Sequence, residues 1–235
     1  MPNPYFSFKQ FTVYHDRCAM KVGTDGVLLG AWTDVSSSKH ILDIGTGTGL
    51  IALMLAQRCS CAQITAIDID LMAVGQAREN IEASKWGNRV NVTLQDLNTY
   101  TPNCLFDTIV SNPPYFVDSL KSVDSQRTMA RHTDTLSAIV LFRKTAELLS
   151  DEGKFSLIIP FDQKDYFISL AKEEGLFLSR LTNVITRPGI PPKRSLMEFK
   201  KQISVCEENS LIIEIDRHVY TDEYISLTRE FYLNM

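Results

Sequence analysis

Ile41-Leu42-Asp43-Ile44-Gly45-Thr46-Gly47-Thr48-Gly49-Leu50-Ile51-Ala52-Leu53-Met54-Leu55-Ala56 passes from one apolar run through three alternating glycines into another. The first run is short and bounded by the glycines, as a buried strand is, and the second has the length of a helix. Strand, glycine-rich turn and helix in that order open a βαβ unit, with glycines where backbone must come close to a ligand. The G-x-G-x-G spacing differs from the G-x-G-x-x-G of dinucleotide sites, and no Lys follows as a P-loop requires. Asp43, ahead of the turn, would repel a pyrophosphate and suits a ligand carrying an ammonium group.

Three further runs repeat the pattern. Ile64-Thr65-Ala66-Ile67-Asp68-Ile69-Asp70, Val90-Asn91-Val92-Thr93-Leu94-Gln95-Asp96 and Phe106-Asp107-Thr108-Ile109-Val110 read as strands, each with polar groups at its C-terminal end. Asp68 falls roughly 20 residues past the glycine turn, where a carboxylate at the second strand's end accepts ribose hydroxyls. Ligands of open α/β sheets bind beyond the carboxyl ends of the strands, so these residues are expected to share one crevice. The last run leads into Ser111-Asn112-Pro113-Pro114-Tyr115-Phe116. Two prolines stop the strand, because each fixes φ and lacks an N–H. The Asn112 side-chain oxygen and the Pro113 carbonyl are acceptors that together take both hydrogens of an exocyclic amino group, while an aromatic ring stacks on the face of a base. The set suits a planar molecule bearing an NH2.

The 235 residues are 44% hydrophobic and 22% charged, which fits a globular chain with a sizeable core and excludes a disordered or fibrous one. No run of about eighteen apolar residues offers a membrane span. Met1-Pro2-Asn3-Pro4-Tyr5 lacks the regions of a signal peptide, so a cytosolic protein is expected. Five cysteines without a C-x-x-C pair argue against a disulfide framework and a zinc site. His15, His40, His132 and His218 are isolated, and no metal is expected. A net charge of −4 carries no general nucleic-acid signature, so any RNA contact must rest on a local basic face.

Outside the core, Phe6 to Tyr14 alternates near period two and predicts a strand or short hairpin. Thr24 or Asp25 is placed to cap a helix carrying Val27, Leu28, Ala31 and Trp32; the stretch reads equally as a capping motif and as a loop over a ligand. Leu136 to Leu149 predicts a helix, Lys154 to Pro160 a fifth strand, and residues 161–174 another helix. Leu181 to Thr186 and Ile203-Ser204-Val205 are expected to pair at the closing edge of the sheet. Between them lies a stiff basic loop, Arg187-Pro188-Gly189-Ile190-Pro191-Pro192-Lys193-Arg194, in a stretch where Arg180, Arg187, Lys193, Arg194, Lys200 and Lys201 face one acid, Glu198. Arg187, Lys193 and Arg194 are candidate RNA-phosphate contacts, as are Arg127, Arg131 and His132 after the proline turn, with Lys121 in the same stretch. A solvated surface is the plainer reading of both groups. With no repeat and no linker, one domain is expected, residues 1–35 capping a core of 36–235.

Asp43-Ile44-Gly45-Thr46-Gly47-Thr48-Gly49, Asp68, Asp96 and Asn112-Pro113-Pro114-Tyr115 resemble the successive motifs of the class I S-adenosylmethionine-dependent methyltransferases of the amino-methylating branch, over roughly residues 39 to 160. The resemblance implies a Rossmann-like α/β fold with a seven-stranded, mostly parallel sheet and helices on both faces. It implies S-adenosyl-L-methionine as cofactor, with Asp43, Gly45, Thr46 and Gly47 at its methionine end, Asp68 and Ile69 at the ribose, and Asp96 and Leu97 at the adenine. Asn112 adjoins the cofactor and forms the catalytic set with Pro113, Pro114 and Tyr115. Both ends of the chain, Phe11 to Trp32 and Tyr220 to Leu233, are similar to members that methylate adenine N6 in tRNA beside the anticodon. That likeness implies tRNA as partner and a segment around Lys21, Thr24 and Asp25 folded over the cofactor. A monomer without membrane or metal is expected. A protein-glutamine N5-methyltransferase uses the same proline turn but carries a helical domain ahead of the glycines, and a DNA adenine methyltransferase needs a target-recognition domain. A catalytically silent RNA-binding module is the non-enzyme alternative.

Overall fold

Strands of aliphatic and β-branched residues with no polar face must be covered on both sides. The computed structural model describes residues 3–18, 20–114 and 137–235. The chain begins with an antiparallel hairpin of β1 (Tyr5–Ser7) and β2 (Thr12–Tyr14), followed by helix α1 (Thr24–Trp32). The βαβ core comprises β3 (His40–Ile44), α2 (Leu50–Arg58), β4 (Gln63–Asp68), α3 (Leu71–Glu82), β5 (Val90–Leu94) and β6 (Phe106–Ser111). Beyond it come α4 (Ala138–Leu148), β7 (Leu149–Pro160), α5 (Lys164–Glu173), β8 (Phe177–Ile185), β9 (Arg194–Lys200), β10 (Glu207–Ile212) and, near the C-terminus, α6 (Asp222–Thr228).

Among the described residues the main sheet has eight strands in the order β10-β8-β9-β7-β6-β3-β4-β5. The strands from β3 to β7 pair in parallel, whereas β9 runs antiparallel between β7 and β8. The chain goes outward from β3 through β4 to β5 and then returns to β6 on the other flank of β3. That reversal opens a crevice beyond the carboxyl ends of β3 and β6.

Two readings of the C-terminal part need correction. The partner of β8 is Arg194–Lys200 and not Ile203-Ser204-Val205, whose Ile203 and Val205 are 81% and 93% exposed. The charges in Arg194–Lys200 disguise a strand whose Glu198 is buried beside Arg180, their Oε2 and Nη2 being 3.0 Å apart. The sheet also exceeds the expected seven strands by β10, which covers the open edge of β8 in parallel. Thr182 Oγ1 donates to Asn209 Oδ1 at 2.6 Å across that pair, and Leu211 is buried.

The alternation along β3 divides two cores. Ile41 joins the side formed by α1, α2, α3 and the hairpin, while Leu42 and Ile44 join the side formed by α4 and α5. On the first side α1 lies close against α2, because a Cβ on Gly30 would fall 2.7 Å from Met54 Sδ and 3.0 Å from its Cβ. The hairpin is tied to the C-terminal end: Lys9 N–H donates to the Phe231 carbonyl at 2.8 Å, and Phe8 stacks on Tyr232. No helix among the described residues is long and apolar enough to cross a membrane.

Candidate functional site

Three left-handed glycines build the turn after β3: Gly45 at φ 71°, Gly47 at 56° and Gly49 at 81°. Any other residue would be strained there. A Cβ on Gly45 or Gly47 would meet no atom within 4 Å, so open space lies before both, whereas one on Gly49 would touch Ala77 of α3 at 3.4 Å. The turn is pinned to β4, since the N–H groups of Gly45 and Thr46 donate to the Ile67 carbonyl at 2.9 and 3.0 Å. Gly47 N–H donates to Asp68 Oδ2 at 2.9 Å, and the other Asp68 oxygen accepts from Asp70 N–H at 3.0 Å. Each carboxylate oxygen keeps a lone pair for a further donor. Asp70 then caps α3 by accepting from Met72 N–H at 2.8 Å.

The next strand ends repeat the arrangement. Asp96 caps a short turn after β5, with Oδ1 accepting from the Asn98 N–H and side-chain amide at 2.8 and 3.0 Å. After β6, the Ser111 hydroxyl donates to the Ile44 carbonyl at 3.0 Å, which ties the start of the proline turn to β3. These elements enclose a cleft of about 810 Å³, a volume typical of small-ligand sites.

Of the residues expected at the site, Gly45, Gly47, Asp68, Ile69, Asp96, Leu97, Asn112, Pro113 and Pro114 line this cleft. Lys21, Thr24, Asp25, Asp43 and Thr46 are not on its wall. Thr24 and Asp25 do not cap α1 either, because Gly23 is the N-cap and offers no side chain. Asp25 instead accepts from Arg194 Nε at 2.8 Å. Cys18, Met20, Ala73, Gln95 and Asn98 also line the cleft, and the sequence reading had not assigned them. Burial and the carboxylates of Asp68 and Asp70 push the Cys18 thiol up to about 11, which keeps it protonated.

Asp43 lies behind the turn with no exposed surface. Its Oδ2 accepts the Thr46 hydroxyl at 2.7 Å, and its Oδ1 accepts no hydrogen bond. Burial pushes the carboxyl up to about 7, against the Thr46 hydroxyl and the Ala52 N–H at the start of α2, which favour the ionised form; nearby Asp68 raises it further. A bare acid oxygen behind two unobstructed glycines suits a cation at the mouth of the turn.

The basic stretch is largely paired within the fold. Arg180 lies over the Trp32 ring, 3.7 Å from its centroid, and Arg187 pairs with Glu214 at 3.2 Å. Arg194 pairs with Asp25, Lys201 donates to the Leu149 carbonyl at 2.8 Å, and Lys200 is 4.0 Å from Glu198. Lys193, at the end of the loop, is exposed. Tyr115, Phe116, Lys121, Arg127, Arg131 and His132 lie outside the described residues.

Residues 19–171 match the family described as the methyltransferase small domain. A protein of Phocaeicola vulgatus named tRNA1(Val) (adenine(37)-N6)-methyltransferase is 61% identical over the whole of both chains. Proteins of the same name from Parabacteroides distasonis and Trichodesmium erythraeum are 52% and 51% identical, over 100% and 97% of both chains. Among solved structures, a predicted O-methyltransferase from Agrobacterium tumefaciens superposes with a TM-score of 0.69 at 20% identity, covering 88% of this chain and 96% of its own. A ribosomal protein L11 methylase from Lactobacillus delbrueckii gives 0.58 at 15% identity, covering 81% and 84%. These two likenesses bear on the fold.

Proposed function

The chain belongs to the methyltransferase small-domain family, and from that premise we propose that it transfers a methyl group from S-adenosyl-L-methionine to the N6 amino group of an adenine in tRNA, adenine 37 of tRNA1(Val). The observation that carries this reading is the full-length similarity to relatives of that name, which extends through both chain ends. The cleft fits the cofactor on independent grounds: glycines with space before them, a buried acid behind them, and carboxylates at two further strand ends.

The residues divide the work as follows. Gly45 and Gly47 receive the methionine end, with Asp43 supplying negative charge from behind and Thr46 orienting that carboxyl. Asp68 and Ile69 bind the ribose, and Asp96 and Leu97 the adenine ring. Lys21, Thr24 and Asp25 belong to the cap side and stand off the cleft wall, Asp25 being paired with Arg194, so they take no direct part in this division. The cofactor supplies an electrophilic methyl group on a sulfonium.

An adenine amino group is a weak nucleophile because its lone pair is delocalised into the ring. The Asn112 side-chain oxygen and the Pro113 carbonyl accept its two hydrogens, turn the lone pair outward and stabilise positive charge developing on nitrogen. No prior base is needed, since a methylated cationic amine loses its proton readily. Pro114 fixes the direction of the Pro113 carbonyl, and Tyr115 stacks on the base, a contact worth about 1–3 kcal/mol. Lys193, Arg127, Arg131 and His132 meet tRNA phosphates, whereas Arg187 and Arg194 contribute less because Glu214 and Asp25 already neutralise them.

The test is transfer of labelled methyl from S-adenosyl-L-methionine to total tRNA, then nuclease digestion and nucleoside mass analysis. N6-methyladenosine that disappears in Asn112→Ala is the expected result. Label in protein with none in RNA would overturn it in favour of glutamine methylation.

A further inference from the structure

Helix α3 does more than connect β4 to β5. Two side-chain amides on it, Gln76 and Asn80, are four residues apart and 1% exposed. Residues at that spacing share one face of a helix, and both are turned toward the N-terminal segment. The Asn80 Oδ1 accepts from Tyr14 N–H at 2.9 Å, and its Nδ2 donates to the Tyr14 carbonyl at 2.9 Å. The amide thus pairs with the last residue of β2 as another strand would. The same Nδ2 donates to the Thr48 carbonyl, inside the glycine turn, at 2.9 Å. One turn earlier, Gln76 Oε1 accepts from Arg17 N–H and Arg17 Nε at 3.3 and 3.4 Å, and Arg17 also pairs with Glu79. From the other side His15 closes the segment, with Nε2 2.9 Å from the Asn3 carbonyl and Nδ1 accepting from Val22 N–H at 3.3 Å.

The held segment continues directly into Cys18 and Met20, which line the cleft. Asn80 therefore ties the glycine turn, through one buried amide, to the segment that leads into Cys18 and Met20. We propose that Gln76 and Asn80 are positioning residues that set cofactor affinity by fixing the N-terminal segment against the glycine turn. They touch neither substrate nor the reacting atoms. The proposal rests on the reading that the cleft binds S-adenosyl-L-methionine.

The two amides are used differently, and the difference makes the test specific. Gln76 acts only as an acceptor toward a cation, so a carboxylate replaces it well. Asn80 accepts one bond and donates two, so a carboxylate there would face two carbonyls. The experiment is calorimetric titration of the full chain with S-adenosylhomocysteine, alongside kcat on tRNA at saturating S-adenosyl-L-methionine and the melting temperature without ligand. Asn80→Ala and Asn80→Asp are expected to weaken binding about tenfold or more, and Gln76→Ala several-fold. Gln76→Glu should restore wild-type affinity, and kcat at saturation should stay within about twofold in all four variants. A merely structural role would lower the melting temperature without separating Gln76→Glu from Gln76→Ala in affinity. Unchanged affinity in Asn80→Asp, equal affinities for the two Gln76 variants, or a loss confined to kcat would overturn the proposal. A wild-type chain that does not bind S-adenosylhomocysteine would overturn the cofactor reading itself, and this role with it.

Discussion

Asn in place of Asp43 separates the cost of burying this acid from the use made of it. An ordinary aspartate titrates at 3.8, and burial raises Asp43 to about 7. Between those values the folded chain holds a proton that the unfolded chain has lost. Stability therefore falls as pH rises through that window and levels off above 7. A difference of about 3 units corresponds to roughly 4 kcal/mol across the whole window. Asp43→Asn removes that dependence. Its amide oxygen still accepts from Thr46, but its NH2 replaces an oxygen that accepts nothing, leaving a buried donor unpaired at a cost of about 1–3 kcal/mol. The two stability curves should cross: the variant is less stable near pH 4.5 and more stable by about 1–3 kcal/mol near pH 8. Urea denaturation followed by Trp32 and Trp86 fluorescence at half-unit pH steps measures the difference, in which titrating groups not coupled to Asp43 cancel. A difference that stays constant from pH 4.5 to 8 would refute the reasoning, because Asp43 would then ionise in the folded chain at its ordinary value.

Asn112→Ala should lower kcat about 10²- to 10³-fold in single-turnover assays while the calorimetric affinity for S-adenosylhomocysteine stays within about twofold. Gly30→Ala brings a Cβ against Met54 and should cost about 1–3 kcal/mol in urea denaturation, with kcat retained at low temperature. Arg180→Ala leaves the buried Glu198 without its guanidinium partner and should cost about 3 kcal/mol; a loss below about 0.5 kcal/mol would mean that the pair is effectively solvated. Lys193→Glu should raise the KM for tRNA and flatten its salt dependence, whereas Arg187→Ala, which removes a cation already paired with Glu214, should leave both nearly unchanged.

The central strands were legible because a parallel strand covered on both faces is written as an unbroken apolar run. Ile41 to Ile44 and Phe106 to Val110 are of this kind, and both are strands in the structure. The edge was harder to read because burial and polarity part company there. Arg194–Lys200 carries three charges yet forms an inner strand, since Arg180 compensates Glu198 and Asp25 pairs with Arg194. Ile203 and Val205 have the composition of a strand and bury almost nothing, because Glu207–Ile212 has already taken the open edge of β8. Composition reports how a residue prefers to sit; the neighbour that satisfies Glu198 comes from a strand 18 residues earlier in the chain.

The same division runs through the site. Groups that face the cleft stand at the ends of strands, where the period of two and the following turn make them conspicuous, as Asp68, Asp96 and Asn112 do. Groups that hold the walls stand within helices, where a polar residue reads as a solvated face. A signal was nonetheless present in α3: Gln76 and Asn80 fall in phase with Ala73 and Ala77 on the buried stripe, where a surface amide has no place. A buried amide in phase with an apolar stripe must find backbone partners, since an unpaired polar group inside a core costs more than the bond it could make. In a βαβ core the free backbone nearest to such a helix is the glycine turn and whatever chain crosses it. For Asn80 these are Thr48 and Tyr14, so the physics that buries the amide also ties the glycine turn to the N-terminal segment.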